Sequence, residues 1–413
     1  MDNITHSIIG LGVGELVHRS LPQEADQRHQ GTRHRLLLVS CAVASNLPDI
    51  DLFLARLLPD PLGYLLNHRG HTHTLMFAVP QALVLAALLW LLWPAARALL
   101  RASAPARWGL AASVLAGLGL HLLMDYTNSY GLHPFYPLDT RWFYGDMVFI
   151  IEPLFWVAFG VPLAMMMPAR SARAVTLAVL AAALSFFAWK SYLGGCSFAV
   201  LLILGAALAL AQRRSGLRGR GALWLALAIS VGFIAVQGGA SALGRARISA
   251  ALQRIDPASR VLDVAMTAFP SQPLCWSFVS VENNEAAGSY RLRRGVSSVA
   301  PHWLAPLACP NGLVEQQPSL RLAPDIAQFD ETTASLQTLR ALKNDNCYVD
   351  AWLRFARAPA LMDGALSDYR FASTPRGNFS TLRIADFEHS ACPQGMPAWG
   401  YPRADLLAPA ATR

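Results

Sequence analysis

Long apolar runs separated by short charged loops make up most of the first 244 residues. A membrane-spanning helix takes about 20 apolar residues, and these runs reach or approach that length. The clearest runs cover residues 75–93, 108–124, 148–167, 175–190, 196–211 and 222–243. Only 15% of the residues are charged, against about 25% in a typical soluble domain. The pattern predicts a mainly α-helical protein that crosses a membrane several times.

Two shorter apolar segments, residues 4–18 and 36–47, precede these runs. Each is short for a full span, which leaves open whether they cross the membrane or form half-buried helices. The first segment carries neither a basic leader nor a small-residue cleavage site. The sequence therefore predicts membrane insertion through internal spans rather than through a cleaved signal peptide.

Arginines concentrate in alternate loops between the apolar runs, within residues 19–35, 94–107, 168–174 and 212–221. Loops rich in arginine stay on the cytoplasmic side, so the other loops and everything after residue 244 are predicted on the opposite side. The formal net charge of +8 does not indicate nucleic-acid binding, because no basic stripe with interleaved aromatic residues is present.

From about residue 245 the composition changes to balanced charges and proline-rich turns. The alternating runs 275–281 and 289–293 predict strands, and residues 333–343 and 348–357 predict helical or mixed structure. We therefore divide the chain into a membrane-embedded metal-site core (1–155), additional transmembrane helices (156–244) and a soluble extracytoplasmic α+β domain (245–413).

Six cysteines occur, four of them in this last domain: Cys275, Cys309, Cys347 and Cys392. An even number in an extracytoplasmic domain predicts two disulfides, with three pairings open. The alternative is four unpaired buried thiols. Cys41 and Cys196 lie in apolar segments and are predicted to be core residues.

Nine of the eleven histidines lie within the first 133 residues, and most of them stand near aspartates. Ionisable groups at membrane depth are costly, which makes them functional candidates. Imidazole and carboxylate groups are the ligands of divalent metal ions. The candidate metal ligands are His6, Asp49, Asp51, His68, His73, His121 and Asp125.

Each group also has a simple structural interpretation. His121 and Asp125 are four apart and share one helix face, where they could merely hydrogen-bond each other. Asp49 or Asp51 could cap the following segment, although capping explains one carboxylate and not two that repel each other. His6 could be an ordinary helix-terminal histidine, with Asp2 as the N-cap.

The segment His68-Arg69-Gly70-His71-Thr72-His73 could be a harmless solvated loop. A glycine inside it permits the tight turning that a loop with several ligands needs. Thr74, directly after it, is predicted to orient a ligand from behind.

Taken together, the candidates exceed the four ligands of one tetrahedral zinc ion, so the sequence also allows a site with two ions about 3.5–4 Å apart. No Gly-x-Ser-x-Gly elbow and no phosphate-binding glycine loop occur in the sequence. The expected cofactor is a divalent metal, zinc in the first place, with manganese or magnesium as alternatives.

These motifs resemble the YdjM-like family of bacterial inner-membrane, metal-dependent hydrolases. The resemblance rests on Met1–Ser7, Asn46-Leu-Pro-Asp-Ile-Asp51, His68-Arg-Gly-His-Thr-His-Thr74, His121-x-x-x-Asp125-x-x-Asn128 and, more weakly, Phe269–Trp276. Here His71 occupies the variable position, Thr74 replaces a serine, and Glu152-Pro153 stands where the family has Asp-Pro. The family is more distantly similar to zinc-dependent phospholipase C.

The resemblance implies a helical metal-hydrolase core with ligands His6, Asp49, His68 or His73, His121 and Asp125. Asp51 is a further ligand candidate, and His133 is a weaker one. It supplies no substrate, because the family's substrate is not established.

From these residues we expect an enzyme of the bacterial inner membrane, a metal-dependent hydrolase of a phosphoester or lipid-linked substrate among membrane lipids. Asp49 or Asp51 would accept the proton of the attacking water. Arg69 and Arg141 are candidates for binding a phosphate, and Arg69 could equally be a charge partner of Asp49 or Asp51. Two alternatives remain: a non-catalytic membrane protein with a structural metal or an ion or proton relay, and a periplasmic binding module on a membrane anchor.

Overall fold

The computed structural model describes residues 1–312, 320–371 and 377–408. The N-terminal part of the chain forms a bundle of helices, and a domain with antiparallel sheets follows it. The predicted fold class, a polytopic helical protein with a C-terminal α+β domain, is confirmed.

The helices of the bundle follow the order of the apolar runs. They are α1 (Asn3–Ser20), α2 (Gln27–Ala44), α3 (Leu62–Asn67), α4 (Leu75–Leu92), α5 (Pro94–Ala102), α6 (Ala104–Tyr126), α7 (Pro153–Met166), α8 (Arg170–Trp189), α9 (Gly195–Ser215) and α10 (Gly221–Ile255). Two 3₁₀ segments, Leu47–Leu57 and His71–His73, lie between them. In the described part of the chain, six helical segments are long and apolar enough to cross a membrane: Gln27–Leu57, α4, α6, α8, α9 and α10.

Helix α7 has only 14 residues, and nearly all of its side chains are buried. A helix that is apolar on all sides belongs in the interior of a bundle. It packs against α1, α8, α9 and α10. The first short apolar segment, α1, packs on α2, α6 and α7, so both of these helices are wrapped by others.

Glycines bring α1, α2 and α6 close together. A Cβ atom added to Gly10 would lie 2.9 Å from the Cα of Ala42, and one added to Gly117 would lie 2.6 Å from the carbonyl oxygen of Cys41. Small residues allow such close approach of helices in membranes. The consequence is a tight three-helix contact beneath the histidines and aspartates.

The C-terminal domain contains a five-stranded antiparallel sheet with strand order β1-β2-β3-β5-β4 and a three-stranded sheet with order β6-β7-β8. Its strands are β1 (Arg260–Phe269), β2 (Gln272–Asn284), β3 (Ser289–Ser298), β4 (Leu320–Ala323), β5 (Ile326–Ser335), β6 (Pro359–Met362), β7 (Ala365–Asp368) and β8 (Leu382–Arg383). Its helices are α11 (Leu336–Asp345), α12 (Cys347–Leu353) and α13 (Ala404–Leu407). Both predicted strands lie within β2 and β3.

The predicted domain boundary at residue 245 falls inside α10, which continues to Ile255. Charged residues return to the sequence before the helix ends, because the last turns of α10 pack on β1 rather than on lipid. Composition therefore marks where the helix changes its neighbours and not where it ends.

Two disulfides join Cys275 to Cys309 and Cys347 to Cys392, so the predicted number is confirmed and the pairing is resolved. Cys41 is buried as predicted, but Cys196 is exposed. The prediction for Cys196 was wrong because it lies in the first turn of α9, beside Gly194 and Gly195, where no neighbour covers it.

The arginine-rich loops meet at one end of the bundle. Arg19 donates to the carbonyl of Leu217, and Arg220 donates to that of Arg19. Close to the other end, the N–H of Asp2 donates to the carbonyl of Ile150, and Ser271 of the sheet domain donates to Glu152. The sheet domain thus lies at the end opposite the arginines.

Candidate metal centre

Four separate segments deliver the histidines and aspartates to one place. His6 lies in the first turn of α1, whose N-cap is Asp2, as predicted. The 3₁₀ segment after α2 carries Asp49 and Asp51, and the loop before α4 carries the three histidines between 68 and 73. His121 and Asp125 stand on the last turns of α6. All these positions lie at the end of the bundle that faces the sheet domain.

A first group consists of Asp49, His73, His121 and Asp125, whose ligand atoms all lie within 4.8 Å of one another. His73 Nε2 is 3.0 Å from His121 Nε2, 3.4 Å from Asp49 Oδ1 and 3.3 Å from Asp125 Oδ2. His121 Nε2 is 3.7 Å from Asp49 Oδ1 and 3.5 Å from Asp125 Oδ2. Zinc ligands at 2.0–2.1 Å in a tetrahedron stand about 3.3 Å apart. The four side chains therefore fit a tetrahedral ion.

A second group consists of Asp49, Asp51 and His68. His68 Nδ1 lies 3.2 Å from Asp51 Oδ1. Asp49 belongs to both groups. If both groups held an ion, the carboxylate of Asp49 would be common to the two ions, as in two-metal sites.

Hydrogen bonds hold both rings of the first group with Nε2 directed at the cluster. Nδ1 of His121 lies 2.7 Å from the carbonyl of Ser45, an acceptor only, so it carries the proton. Nδ1 of His73 lies 2.9 Å from Asp51 Oδ2. Such partners behind a ligand fix its tautomer and orientation. Asp51 thus supports the first group while its other oxygen faces the second.

The cluster carries an excess of negative charge. Asp49, Asp51 and Asp125 are buried together, and among the described side chains the guanidinium of Arg69 is the permanent cation beside them. Burial disfavours a charged His73 ring, yet hydrogen bonds to Asp125, Asp49 and Asp51 outweigh burial and raise the pKa of His73 to about 10. Buried carboxylates need compensating positive charge, and without a metal ion a proton supplies part of it.

Arg69 does not present a free guanidinium for a phosphate. Its side chain is buried, and it donates to Asn128 Oδ1 at 2.8 Å and to Asp125 Oδ1 at 3.1 Å. It was expected to pair with Asp49 or Asp51, but only its backbone N–H reaches Asp51, at 2.9 Å. The guanidinium extends instead along the α6 end, because a positive φ of 57° turns the backbone at this residue.

Arg141, the other predicted phosphate ligand, lies away from the cluster. Its side chain is 77% exposed and pairs with Asp139 at 2.6 Å. His133 is buried between the rings of Trp142 and Trp399, whose ring centres lie 3.8 and 4.2 Å from its own. It belongs to neither metal group. Aromatic packing, which the sequence spacing does not show, determines its place.

His6 lies beside the first group without belonging to it. Its Nε2 is 3.3 Å from Asp125 Oδ1, and its ring stacks on His121 at 4.0 Å. The amino group of Met1 also contacts Asp125 Oδ1. His6 therefore reaches the oxygen of Asp125 that faces away from His73.

Two supporting residues were not identified from the sequence. Thr72 donates to Asp51 Oδ2 at 2.7 Å, which is the role predicted for Thr74. Thr74 instead caps α4 by accepting from the N–H of Phe77. Asn128 accepts a hydrogen bond from the Arg69 guanidinium. In the sequence, only its place in the motif after Asp125 indicated that it could belong to the site.

Glu152 is fully buried directly before α7 and accepts from the N–H of Ser271 at 3.0 Å and from its hydroxyl. Burial raises the pKa of Glu152 to about 7, although the bonds from Ser271 oppose the rise. Its role is to join the bundle to the sheet domain.

The fold and the cluster define a membrane protein with a buried histidine–aspartate site that could hold metal ions. Residues 1–195 match the sequence model of the family described as YdjM inner membrane protein. This match confirms the resemblance to that family for the segment that holds the whole cluster, and it says nothing of hydrolase activity or of phospholipase C. The chain is also similar to a Bacillus subtilis (strain 168) protein described as "Uncharacterized protein YfhP", with 25% identity over 158 residues. That match covers 38% of this chain and 44% of the relative, so this chain spans less than half of the relative's length. No solved structure matches the chain.

Proposed function

We propose that this chain is a membrane-bound hydrolase of phosphoester or lipid-linked substrates that depends on divalent metal ions held by the histidine–aspartate cluster. Neither description found by comparison names an activity. The proposal rests on the geometry of the two groups, and above all on their different numbers of ligands.

The first group offers four protein ligands and the second offers three. Zinc sites with four protein ligands are structural, whereas catalytic sites have three protein ligands and one open position for water or substrate. The second group also has the most exposed ligand, since His68 is 11% exposed and the side chains of His73, His121 and Asp125 are at most 1% exposed. Substrate would therefore reach the second group.

A divalent cation bound there supplies Lewis acidity and brings the pKa of water to about 7. The side chains have separate tasks. Asp51 Oδ2 accepts from the N–H of Arg69 and from Thr72, and Nδ1 of His73 also lies against it, so it orients rather than moves protons. Asp49 Oδ1 faces the Nε2 atoms of the two rings of the first group, at 3.4 and 3.7 Å, which suits this oxygen to be a ligand of an ion held there. Arg69 holds Asp125 in place.

The position of the cluster suits a substrate in a lipid leaflet. The 3₁₀ segment that carries Asp49 and Asp51 turns most of its apolar side chains outward, with Phe53 77% exposed and Leu57 72% exposed. A contiguous exposed apolar patch marks a surface that meets a membrane or another protein. A phosphoester at the lipid–water boundary would lie beside the second group.

We further propose that this end of the molecule is periplasmic. The cluster and the disulfide-bonded sheet domain lie at the end opposite the arginine-rich loops. Arginine-rich loops are cytoplasmic, and disulfides persist in the periplasm.

A second function has one observation in its favour. The first group is saturated by four ligands, which fits a structural ion in a membrane protein without catalysis. In that case the second group would not bind an ion tightly, and no substrate would be hydrolysed.

The deciding experiment measures bound metal by mass spectrometry in the full chain, purified in detergent without a histidine tag. A His121→Ala/Asp125→Ala double variant tests the first group, His68→Ala tests the second, and His71→Ala, in the same loop but outside both groups, is the control. We expect up to two zinc or manganese ions in the wild type, and hydrolysis of p-nitrophenyl phosphate or phospholipid that is lost in His68→Ala.

Metal bound without hydrolysis of any phosphoester would favour the non-catalytic alternative. Folded wild-type protein that holds no ion after reloading would contradict both.

A further inference from the structure

A cavity of about 750 Å³ lies between the segment after the 3₁₀ helix and the sheet domain. Ligand-binding pockets measure about 300–1,000 Å³. Residues of both parts of the chain form its wall, including Asp60, Tyr64, Phe379, Arg383, Asp386 and Phe387. None of these residues belongs to the metal groups.

One ring separates this cavity from the second metal group. Tyr64 lines the cavity and stacks on His68 with ring centres 4.9 Å apart. Phe379, from the sheet domain, packs edge-on against Tyr64 at 5.6 Å. A molecule in the cavity therefore contacts Tyr64 and lies one aromatic ring away from His68, which carries a metal-ligand atom.

The lining combines groups of opposite charge with aromatic rings. Within the described residues, the side chains of Asp60, Arg383 and Asp386 have no hydrogen bond or ion pair to the protein, so their polar atoms are available to a ligand. A wall with two carboxylates and one guanidinium does not suit a bare phosphate, and a wall with this many charged and polar groups does not suit an acyl chain.

Sugar hydroxyls both donate and accept hydrogen bonds, so they match carboxylates as donors and a guanidinium as acceptors. The C–H faces of a sugar ring are apolar and pack on aromatic rings such as Tyr64, Phe379 and Phe387. We infer that the cavity binds the glycosyl or polyol part of the substrate, and that the sheet domain thereby determines substrate choice. This inference rests on the proposed hydrolase function, with the phosphoester of the same substrate at the second metal group.

The test uses isothermal titration of the full-length, zinc-loaded protein in a detergent without a sugar head group. The probes are glucose 1-phosphate, phosphoethanolamine and inorganic phosphate. We expect glucose 1-phosphate to bind about tenfold or more tightly than the other two, since hydrogen bonds to charged groups are the strong ones. An Arg383→Ala/Asp386→Asn variant should lose this preference while it keeps its metal content and its affinity for phosphate.

Arg254→Ala, an exposed arginine on α10, is the control and should bind like the wild type. Equal affinities for the three probes in the wild type, or a preference unchanged in the double variant, would overturn the inference. If no metal or phosphate binds, the proposed function fails by itself, and methyl α-glucoside then tests the cavity alone. Its binding to the wild type and not to the double variant would support the cavity, and no binding would reject it.

Discussion

Asp49 is the residue on which both metal groups depend, since its carboxylate is common to them. A change at this position should therefore affect two ions, whereas a change at His121 or His68 should affect one.

We predict that Asp49→Ala lowers the metal content of both groups and holds less than one ion per chain, while His68→Ala retains about one ion per chain. The physical reason is that the first group keeps all four of its ligands without His68. Metal content per folded chain measures this directly, with His71→Ala as the matched control. An Asp49→Ala protein with the metal content of the His68→Ala protein would show that the carboxylate does not bridge.

The sequence indicated the metal-ligand candidates because imidazoles and carboxylates near membrane depth are costly unless they bind or exchange an ion. It could not assign the supporting roles. Thr72 and Thr74 are equally close to His73 in the chain, and only the start of α4 decides that Thr74 becomes its cap. Arg69 and Arg141 differ in burial, which the sequence does not reveal.

Between elements, the sheet domain is fixed to the bundle by buried ion pairs. Arg357, just after α12, makes two hydrogen bonds to Asp146 of the loop before α7, at 2.8 and 2.9 Å. It makes two more to Asp263 of β1, at 2.7 and 3.1 Å. Arg357, Asp146 and Asp263 thus join the segment after α12, the loop before α7 and strand β1.

We predict that Arg357→Ala destabilises the protein by about 3 kcal/mol, because it removes the buried arginine from two carboxylates. Among the described residues, Asp146 then keeps only Arg245 as its ion-pair partner, and Asp263 keeps only Arg403. Arg141→Ala is the matched control, since its pair with Asp139 is exposed to solvent and contributes little to stability. Chemical unfolding followed by tryptophan fluorescence compares the two. Equal losses in both variants would mean that the buried network is not what joins the elements.

The hydrogen bonds between Glu152 and Ser271 make a second junction between the bundle and the sheet domain, and their contribution to stability depends on pH. The pKa of a glutamate is 4.5 when unperturbed, whereas burial raises that of Glu152 to about 7. The folded state therefore holds the proton more tightly, and the stability that this gives is complete below about pH 4.5 and is lost as the pH rises through about 7. The loss is roughly 3 kcal/mol.

We accordingly predict that thermal stability falls between pH 5 and pH 8 in the wild type and falls less in Glu152→Gln. Melting temperatures of both proteins across this range test the prediction, and parallel curves would contradict it.

At the scale of elements, the sequence predicted most helices from the length of the apolar runs alone. It did not predict the junction of Glu152 and Ser271, because these residues meet only through folding.

At the scale of the whole molecule, orientation in the membrane is the property still to be measured. A reporter that is active only in the periplasm, fused after residue 413, should be active, and a cytoplasmic reporter at the same position should be silent. The prediction follows from arginine-rich loops at the opposite end of the bundle. The reverse pattern would place the cluster on the cytoplasmic face.

Thiol counting gives a second, independent check of orientation. Of six cysteines, Cys41 and Cys196 are free and four are paired. Denatured protein from cells should therefore react with two equivalents of a thiol reagent before reduction and six afterwards. Six equivalents before reduction would indicate a reducing compartment.

The indole N–H of Trp399 donates to the carbonyl of Leu66 at 2.8 Å, two residues before the loop that carries His68. These partners are 333 positions apart in the chain. A ribosome therefore completes every candidate metal-ligand residue long before it makes Trp399, whose ring packs on His71 of the ligand loop. Until then the loop lacks this contact, so a segment made 333 residues after Leu66 completes the surroundings of the cluster.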